Sequence, residues 1–268
     1  MRPKDYSDFE HLTFDHRRGG ITVVTFDRPE VLNAANVRLH REMSEVWALL
    51  DDDDDVRVSV VTGSGRAFSA GGDLEMIEEM IESYDAMVTQ WRDAGAIVEK
   101  MLMAEKPIVS AINGVAVGAG LAVGLLADVS VIGQSARLSD GHVRLGVAAG
   151  DHAAALWPLL CGMARAKYYL MTADFVDGRQ AEQMGLVTKC VPDEEVFDEA
   201  LSIAERLATG SQLAVRFTKR VMNQWMRQAL PIFGESLALE MLCFLGDDVK
   251  EGVAALKEHR PPRFPSAG

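Results

Sequence analysis

Pro107 to Ala127 reads PIVSAINGVAVGAGLAVGLLA, 21 residues without a charge. Its length would suit a transmembrane helix, and Gly114/Gly118 and Gly120/Gly124 carry the small-x-x-x-small spacing of paired membrane helices. Pro107, Ser110, the Asn113-Gly114 turn signal and four glycines would interrupt that helix. The stretch therefore predicts a buried strand, a turn and a buried helix. Outward from it, Gly20–Phe26 (GITVVTF), Val56–Thr62 (VRVSVVT) and Asp128–Ile132 (DVSVI) are β-branched runs of strand length. Between the first two, Val37, Leu39, Met43, Val46, Trp47 and Leu50 recur at helical spacing. Near-continuous apolar strands alternating with amphipathic helices predict an α/β fold, a mostly parallel sheet covered by helices. Past residue 195 only helical periodicity remains, so a β/α core over 1–195 and a helical region over 196–268 are expected.

With 48% hydrophobic and 25% charged residues over 268 positions, the chain can bury a large core. Its 27 Lys+Arg against 40 Asp+Glu give a net charge of −13, which repels phosphate backbones and anionic lipid; neither nucleic acid nor membrane is an expected partner. Cys161, Cys190 and Cys243 are odd in number and widely spaced, which argues against a disulfide framework or a thiolate zinc site. The N-terminal MRPKDYSDFEHL holds no apolar run of leader length, so a cytoplasmic location is expected. Asp51–Asp55 lacks the spaced ligands and turn glycine of a calcium loop and reads as a solvated loop. His11, His16, His40 and His259 fall in surface-like contexts with no H-x-x-x-H, so no metal site is expected.

Two glycine-rich turns stand out. Gly63–Leu74 (GSGRAFSAGGDL) and Asn113–Leu121 (NGVAVGAGL) each follow a strand and open a helix. Neither has the G-x-x-x-x-G-K-[ST] or G-x-G-x-x-G register of a nucleotide loop. Two such turns on one sheet can aim two backbone N–H groups at one point, the geometry of an oxyanion hole; equally, small residues there let helix and strand pack closely.

AFSAGGDL and KPIVSAINGVAVGAGL, preceded by RPEVLNAAN (Arg28–Asn36) and followed by AEQMGLVTKCVP (Ala181–Pro192), resemble the enoyl-CoA hydratase/isomerase (crotonase) superfamily over roughly residues 8 to 262. The resemblance implies a crotonase-type β/α spiral core, and C-terminal helices that build a homotrimer or a dimer of trimers. It also implies an acyl-CoA thioester substrate, with coenzyme A as part of the substrate and no separate cofactor. By position, the oxyanion donors are the Gly72 and Ala119 amides, and the substrate lies along Val31, Ala34, Ala70, Gly71, Gly72, Asp73, Leu74 and Ala119. The family usually has glycine where Ala119 stands, so Ala119 needs a negative φ. Met76, Met80, Met87, Met101 and Met103 suit either an adaptable acyl pocket or ordinary core. Phe233, Leu237, Leu239, Met241, Leu242, Phe244 and Leu245 look too numerous to bury within one chain, consistent with a subunit interface.

The acid/base half departs from the pattern. Where family hydratases carry two glutamates, this chain has Ala122 and His142. Asp140 and Asp151 are the nearby carboxylates, with His152 a weaker competitor. H-x-x-x-G-x-x-x-G-D from His142 to Asp151, followed by WPLLCG, resembles the superfamily's β-diketone hydrolases of the 6-oxocamphor hydrolase type, in which such a pair activates water for carbon–carbon cleavage. Imidazole is a competent base near neutrality, and a carboxylate at its far nitrogen steadies the imidazolium. The plainer alternative is that His142 satisfies a turn and Asp151 caps a helix. Three readings follow: a hydratase/isomerase using His142 and Asp151, a carbon–carbon hydrolase, or an inactive CoA-binding homologue.

Overall fold

The computed structural model describes residues 5–268, so the first four residues of the segment read for a leader lie outside it. The strands are β1 (Leu12–Arg17), β2 (Ile21–Phe26), β3 (Val58–Gly63), β4 (Ala67–Ser69), β5 (Ile108–Ile112), β6 (Val115–Val117), β7 (Val129–Gly133), β8 (Arg137–Ser139), β9 (Val176–Asp177) and β10 (Lys189–Val191). The helices are α1 (Val37–Asp52), α2 (Leu74–Glu82), α3 (Tyr84–Met103), α4 (Gly118–Leu126), α5 (His142–Leu145), α6 (Ala153–Cys161), α7 (Met163–Thr172), α8 (Gly178–Gln183), α9 (Val196–Thr209), α10 (Gln212–Arg227), α11 (Leu230–Cys243) and α12 (Asp248–Lys257).

The decisive stretch folds as strand, turn, short strand and helix. α4 spans nine residues, and among the described residues no helix is long and apolar enough to cross a membrane. A six-stranded sheet runs β1-β2-β3-β5-β7-β10, parallel except for the β1–β2 pair, and a second sheet runs β4-β6-β8-β9. Three successive units, β3-β4-α2, β5-β6-α4 and β7-β8-α5, each place one strand in the first sheet and a shorter one in the second. This winding is a β/α spiral, a repeat of structure that the sequence does not display as a repeat of residues.

The apolar runs are continuous because both faces of the large sheet are covered. Ile21, Val23, Val58, Val60, Val109, Ala111 and Val131 face α9, which meets them with Val196, Ala200, Ala204 and Ala208. Val24, Phe26, Val61, Ile108, Ile112 and Ile132 point the other way into the main core with Trp47, Phe68 and Trp157.

Two expectations need correction. Asp51–Asp55 is no simple solvated loop: α1 runs through its first two residues, Asp51 accepts the amides of Glu105 (2.9 Å) and Lys106 (2.8 Å), and buried Asp53 accepts the Tyr6 hydroxyl at 2.5 Å. The C-terminal apolar residues are also divided. Phe233, Leu237, Met241 and Phe244 are buried within this chain, whereas Leu239, Leu242 and Leu245 remain exposed. α11 is thus a partner of the core on one side only.

α10 is held down by charge. Lys219 Nζ lies 2.8 Å from Asp128 Oδ2 and donates to the Lys106 carbonyl at 2.8 Å, nearly shielded from solvent. Removing one partner of a buried pair leaves the other charge without compensation. Lys219→Met is expected to lower stability by about 3 kcal/mol, the low end of the range because Asp128 keeps some solvent access. Urea unfolding of the variant checks this.

Candidate active site

The two glycine-rich turns meet. Two asparagines tie them down: Asn33 donates to the carbonyls of Ser64 and Ala67 (both 2.9 Å), and Asn113 donates to the carbonyl of Gly63 (2.9 Å) and accepts from its amide (3.2 Å). Gly118 supplies the left-handed step, φ +50°, where the chain leaves β6 for α4, and a Cβ on it would lie 3.7 Å from the Gly71 Cα. That step falls on Gly118, so Ala119 has a negative φ and an alanine fits where the family favours glycine. The Gly71 carbonyl accepts from Ala35 (2.7 Å) and the Asp73 amide donates to Ala35 (2.9 Å), which leaves the intervening Gly72 amide pointing away from that pairing. Among the described residues, the Gly72 and Ala119 amides have no acceptor. Ala119 lies in the first turn of α4, where the helix dipole also favours negative charge.

Both amides border a cavity of about 170 Å³. Ala70, Gly71, Gly72, Leu74 and Ala119 line it as expected; Val31, Ala34 and Asp73 do not. Asp73 instead caps α2 through the Glu75 amide and pairs with Arg28 at 3.2 Å, while the Ala34 carbonyl accepts from the same guanidinium. Met76 and Met80 form part of the apolar wall, Met101 belongs to the core, and Met103 is exposed.

The opposite wall is a buried charge cluster. His142 Nδ1 lies 3.0 Å from Asp140 Oδ2, and its Nε2 lies 3.8 Å from Asp151 Oδ2 and 3.5 Å from Glu240 Oε1. Asp151 Oδ1 stands 2.5 Å from Nδ1 of buried His152, whose Nε2 faces the Trp157 indole N–H at 3.4 Å; that contact leaves Nδ1 as the protonated nitrogen. So His142 and Asp151 do come together, and Asp151 caps no helix by side chain. Burial opposes a charged His142, but Asp140, Asp151 and Glu240 outweigh it and hold the imidazole well above its ordinary pKa of 6.5. Burial likewise opposes the Asp151 carboxylate, and its contacts with His152 and His142 overcome that, holding Asp151 below the usual carboxylate range. Glu240 goes the other way: burial raises it, with only partial relief from His142. These three carboxylates thus favour the protonated form of His142, where the sequence suggested a neutral base.

Sequence reasoning missed Glu240, a lone carboxylate within the apolar LALEMLC of α11, and His40, which is buried on the cavity wall and not at the surface. Burial pushes the His40 imidazole down to about 4 against the pull of Asp151, leaving it neutral. His40 Nδ1, Gln90 Oε1, Asp140 Oδ1, Asp151 Oδ2 and Glu240 Oε2 are buried without a hydrogen-bond partner among the described residues, and all five residues line the cavity. A buried polar group left unpaired costs about 1 to 3 kcal/mol, so this concentration marks a place built for a polar ligand. Ligand atoms of Asp140, Asp151 and His152 also fall within 4.8 Å of one another, as a metal would require, yet the His142 imidazolium already supplies the positive charge between the two carboxylates.

Residues 16–267 match the sequence model for enoyl-CoA hydratase/isomerase. This chain belongs to that family. It is 32% identical over 253 residues to a crotonyl-CoA hydratase of Syntrophomonas wolfei, covering 91% of this chain and 94% of that one. An enoyl-CoA hydratase/isomerase structure from Mycobacterium paratuberculosis superimposes with a TM-score of 0.87 at 33% identity, covering 91% and 97% of the two chains. A β-diketone hydrolase from Anabaena, bound to (S)-3-oxocyclohexyl acetic acid, superimposes with a TM-score of 0.84 at 26% identity, covering 91% and 98%. The crotonase fold is thus the fold of this chain.

The raised pKa has a sign that can be checked. Because the folded value exceeds the unfolded one, the stability contributed by protonated His142 is fully present below the unfolded pKa of about 6.5 and disappears as pH rises through the folded pKa. NMR titration of the His142 ring should show imidazolium persisting above pH 6.5, and Asp151→Asn should move its midpoint down.

Proposed function

We propose that the protein is an enzyme adding water to the double bond of a 2-enoyl-CoA thioester, with Gly72 and Ala119 as oxyanion donors and His142 with Asp151 and Glu240 as the proton-handling group. What carries the reading is that two unpaired amides and a buried imidazolium–carboxylate cluster border one cavity. As the oxygen of a bound water bonds to Cβ, its proton passes to a carboxylate of the cluster. Glu240 is the stronger base of the two, since burial raises it. The double-bond electrons move onto the thioester oxygen, an enolate held by the two amides. His142 then gives its proton to Cα, and the proton on the carboxylate restores the imidazolium. Water has been added and no charge created. The cluster replaces the glutamate pair of ordinary hydratases, so crotonyl-CoA is expected to be a slow substrate relative to them.

Backbone donors survive side-chain truncation but not proline. Ala119→Pro should lower kcat by about 10² to 10³, and Ala119→Gly should be nearly silent. His142→Ala should cost about 10² to 10⁴. An acid in its protonated form is needed, so kcat/KM should fall as pH rises through the raised His142 pKa; a fall toward low pH instead would make His142 the base. Assaying crotonyl-CoA against a cyclic β-diketone decides between reaction classes: diketone cleavage alone would assign the carbon–carbon hydrolase, and CoA binding without turnover an inactive homologue.

The same reading extends to assembly. Leu239 and Leu242 on α11 and Leu245 just beyond it, with Phe217, Val221 and Trp225 on α10, leave apolar side chains exposed of the kind that a homotrimer or a dimer of trimers covers. Light scattering at micromolar concentration should give three or six chains.

A further inference from the structure

His40 on α1 and Gln90 on α3 belong to neither the oxyanion donors nor the proton-handling cluster. Gln90 is 3% exposed and His40 5%, and both line the cavity among the apolar side chains of Met76, Ile77, Met80 and Ala94. Neither His40 Nδ1 nor Gln90 Oε1 has a hydrogen-bond partner among the described residues. A pocket for a plain hydrocarbon chain has no use for two such groups, since burying them unpaired weakens both folding and binding.

We propose that His40 and Gln90 select an acyl chain bearing a neutral oxygen function, a hydroxyl or keto group beyond the thioester, over the unsubstituted chain. The inference rests on the thioester reading above and names the class of acyl group. An amide oxygen accepts from a hydroxyl, and a neutral imidazole donates to a hydroxyl or keto oxygen through its N–H and accepts from a hydroxyl through its other nitrogen. His40 is kept neutral by burial, and Asp140, Asp151 and Glu240 line the same cavity, so a chain ending in a carboxylate meets no cation free to receive it. The group recognised is therefore polar but uncharged.

The test is calorimetric binding of saturated thioesters, which cannot be hydrated: hexanoyl-CoA, its 4-hydroxy and 5-hydroxy derivatives, and adipoyl-CoA. At least one hydroxy ester should bind tighter than hexanoyl-CoA by on the order of 10- to 100-fold, and adipoyl-CoA should bind more weakly than either. Gln90→Met and His40→Phe, two independent substitutions that keep bulk, should each bring the hydroxy-to-plain ratio toward one. Equal binding of hydroxy and plain esters by the wild type overturns the inference, as does a preference that survives both variants or tightest binding of adipoyl-CoA. If none of the esters binds, the thioester reading fails first and this inference with it. Binding of hexanoyl-CoA without discrimination leaves that reading standing and removes only this one.

Discussion

A Cβ at position 120 would stand 2.2 Å from the Cβ of Ser69. The site depends on this closeness. β4 ends at Ser69 and α4 begins at Gly118, and only because α4 passes against the end of β4 does its first turn reach the Gly71–Gly72 segment. Ser69 is in turn fastened by its hydroxyl to the Asn33 carbonyl at 2.8 Å, so the loop of RPEVLNAAN, the SAGGDL turn and the NGVAVGAGL turn form one rigid body. Preorganised donors need no rearrangement when charge develops on a carbonyl oxygen, and here the rigidity comes from backbone packing that side-chain variation elsewhere leaves intact. The family relation and the spiral winding are two expressions of this constraint.

On the other wall the organising force is electrostatic. Three carboxylates standing 3.0 to 3.8 Å from one imidazole are expensive to bury and unstable as a set unless protons are shared among them. The surroundings push the groups in opposite directions: the neighbouring carboxylates raise His142, burial raises Glu240, and the two imidazoles lower Asp151. Groups driven apart in this way supply a donor and an acceptor at one pH, the division of labour that two chemically identical glutamates achieve only through their surroundings.

Much of this was legible in the residues. The apolar strands, the amphipathic α1 and the end of strand structure before residue 196 follow from periodicity, and the glycine turns with their neighbouring motifs carried the family. The short strands β4, β6, β8 and β9 were not legible: two or three residues carry no period, and their pairing is fixed by the winding. Asp51–Asp55 misled because like charges in a row suggest solvent, although α1 ends among them and turns their carboxylates toward two backbone amides and a tyrosine. In the site, His142 and Asp151 are nine residues apart and could be paired by eye, whereas Glu240 is 89 residues beyond Asp151 and only the tertiary fold returns it. His40 reads as a surface histidine because a polar side chain beside Leu39 on an amphipathic helix suggests solvent, although the fold buries it with Leu39 and Met43.

The same long return gives the C-terminal helices a part in the charge cluster. Ser236 donates its hydroxyl to the Gly150 carbonyl at 2.9 Å, pinning the residue just before Asp151 to α11, and Glu240 follows one helical turn later on the same face. α11 therefore sets both carboxylates that face His142 Nε2, one as its own side chain and one through the loop it holds. Phe233, Leu237, Met241 and Phe244 lock that helix into the core on the near side, while its far side is left for another surface. One helix thus carries Glu240 and, through Ser236, holds the residue before Asp151, so the region beyond residue 195 supplies part of the charge cluster around His142.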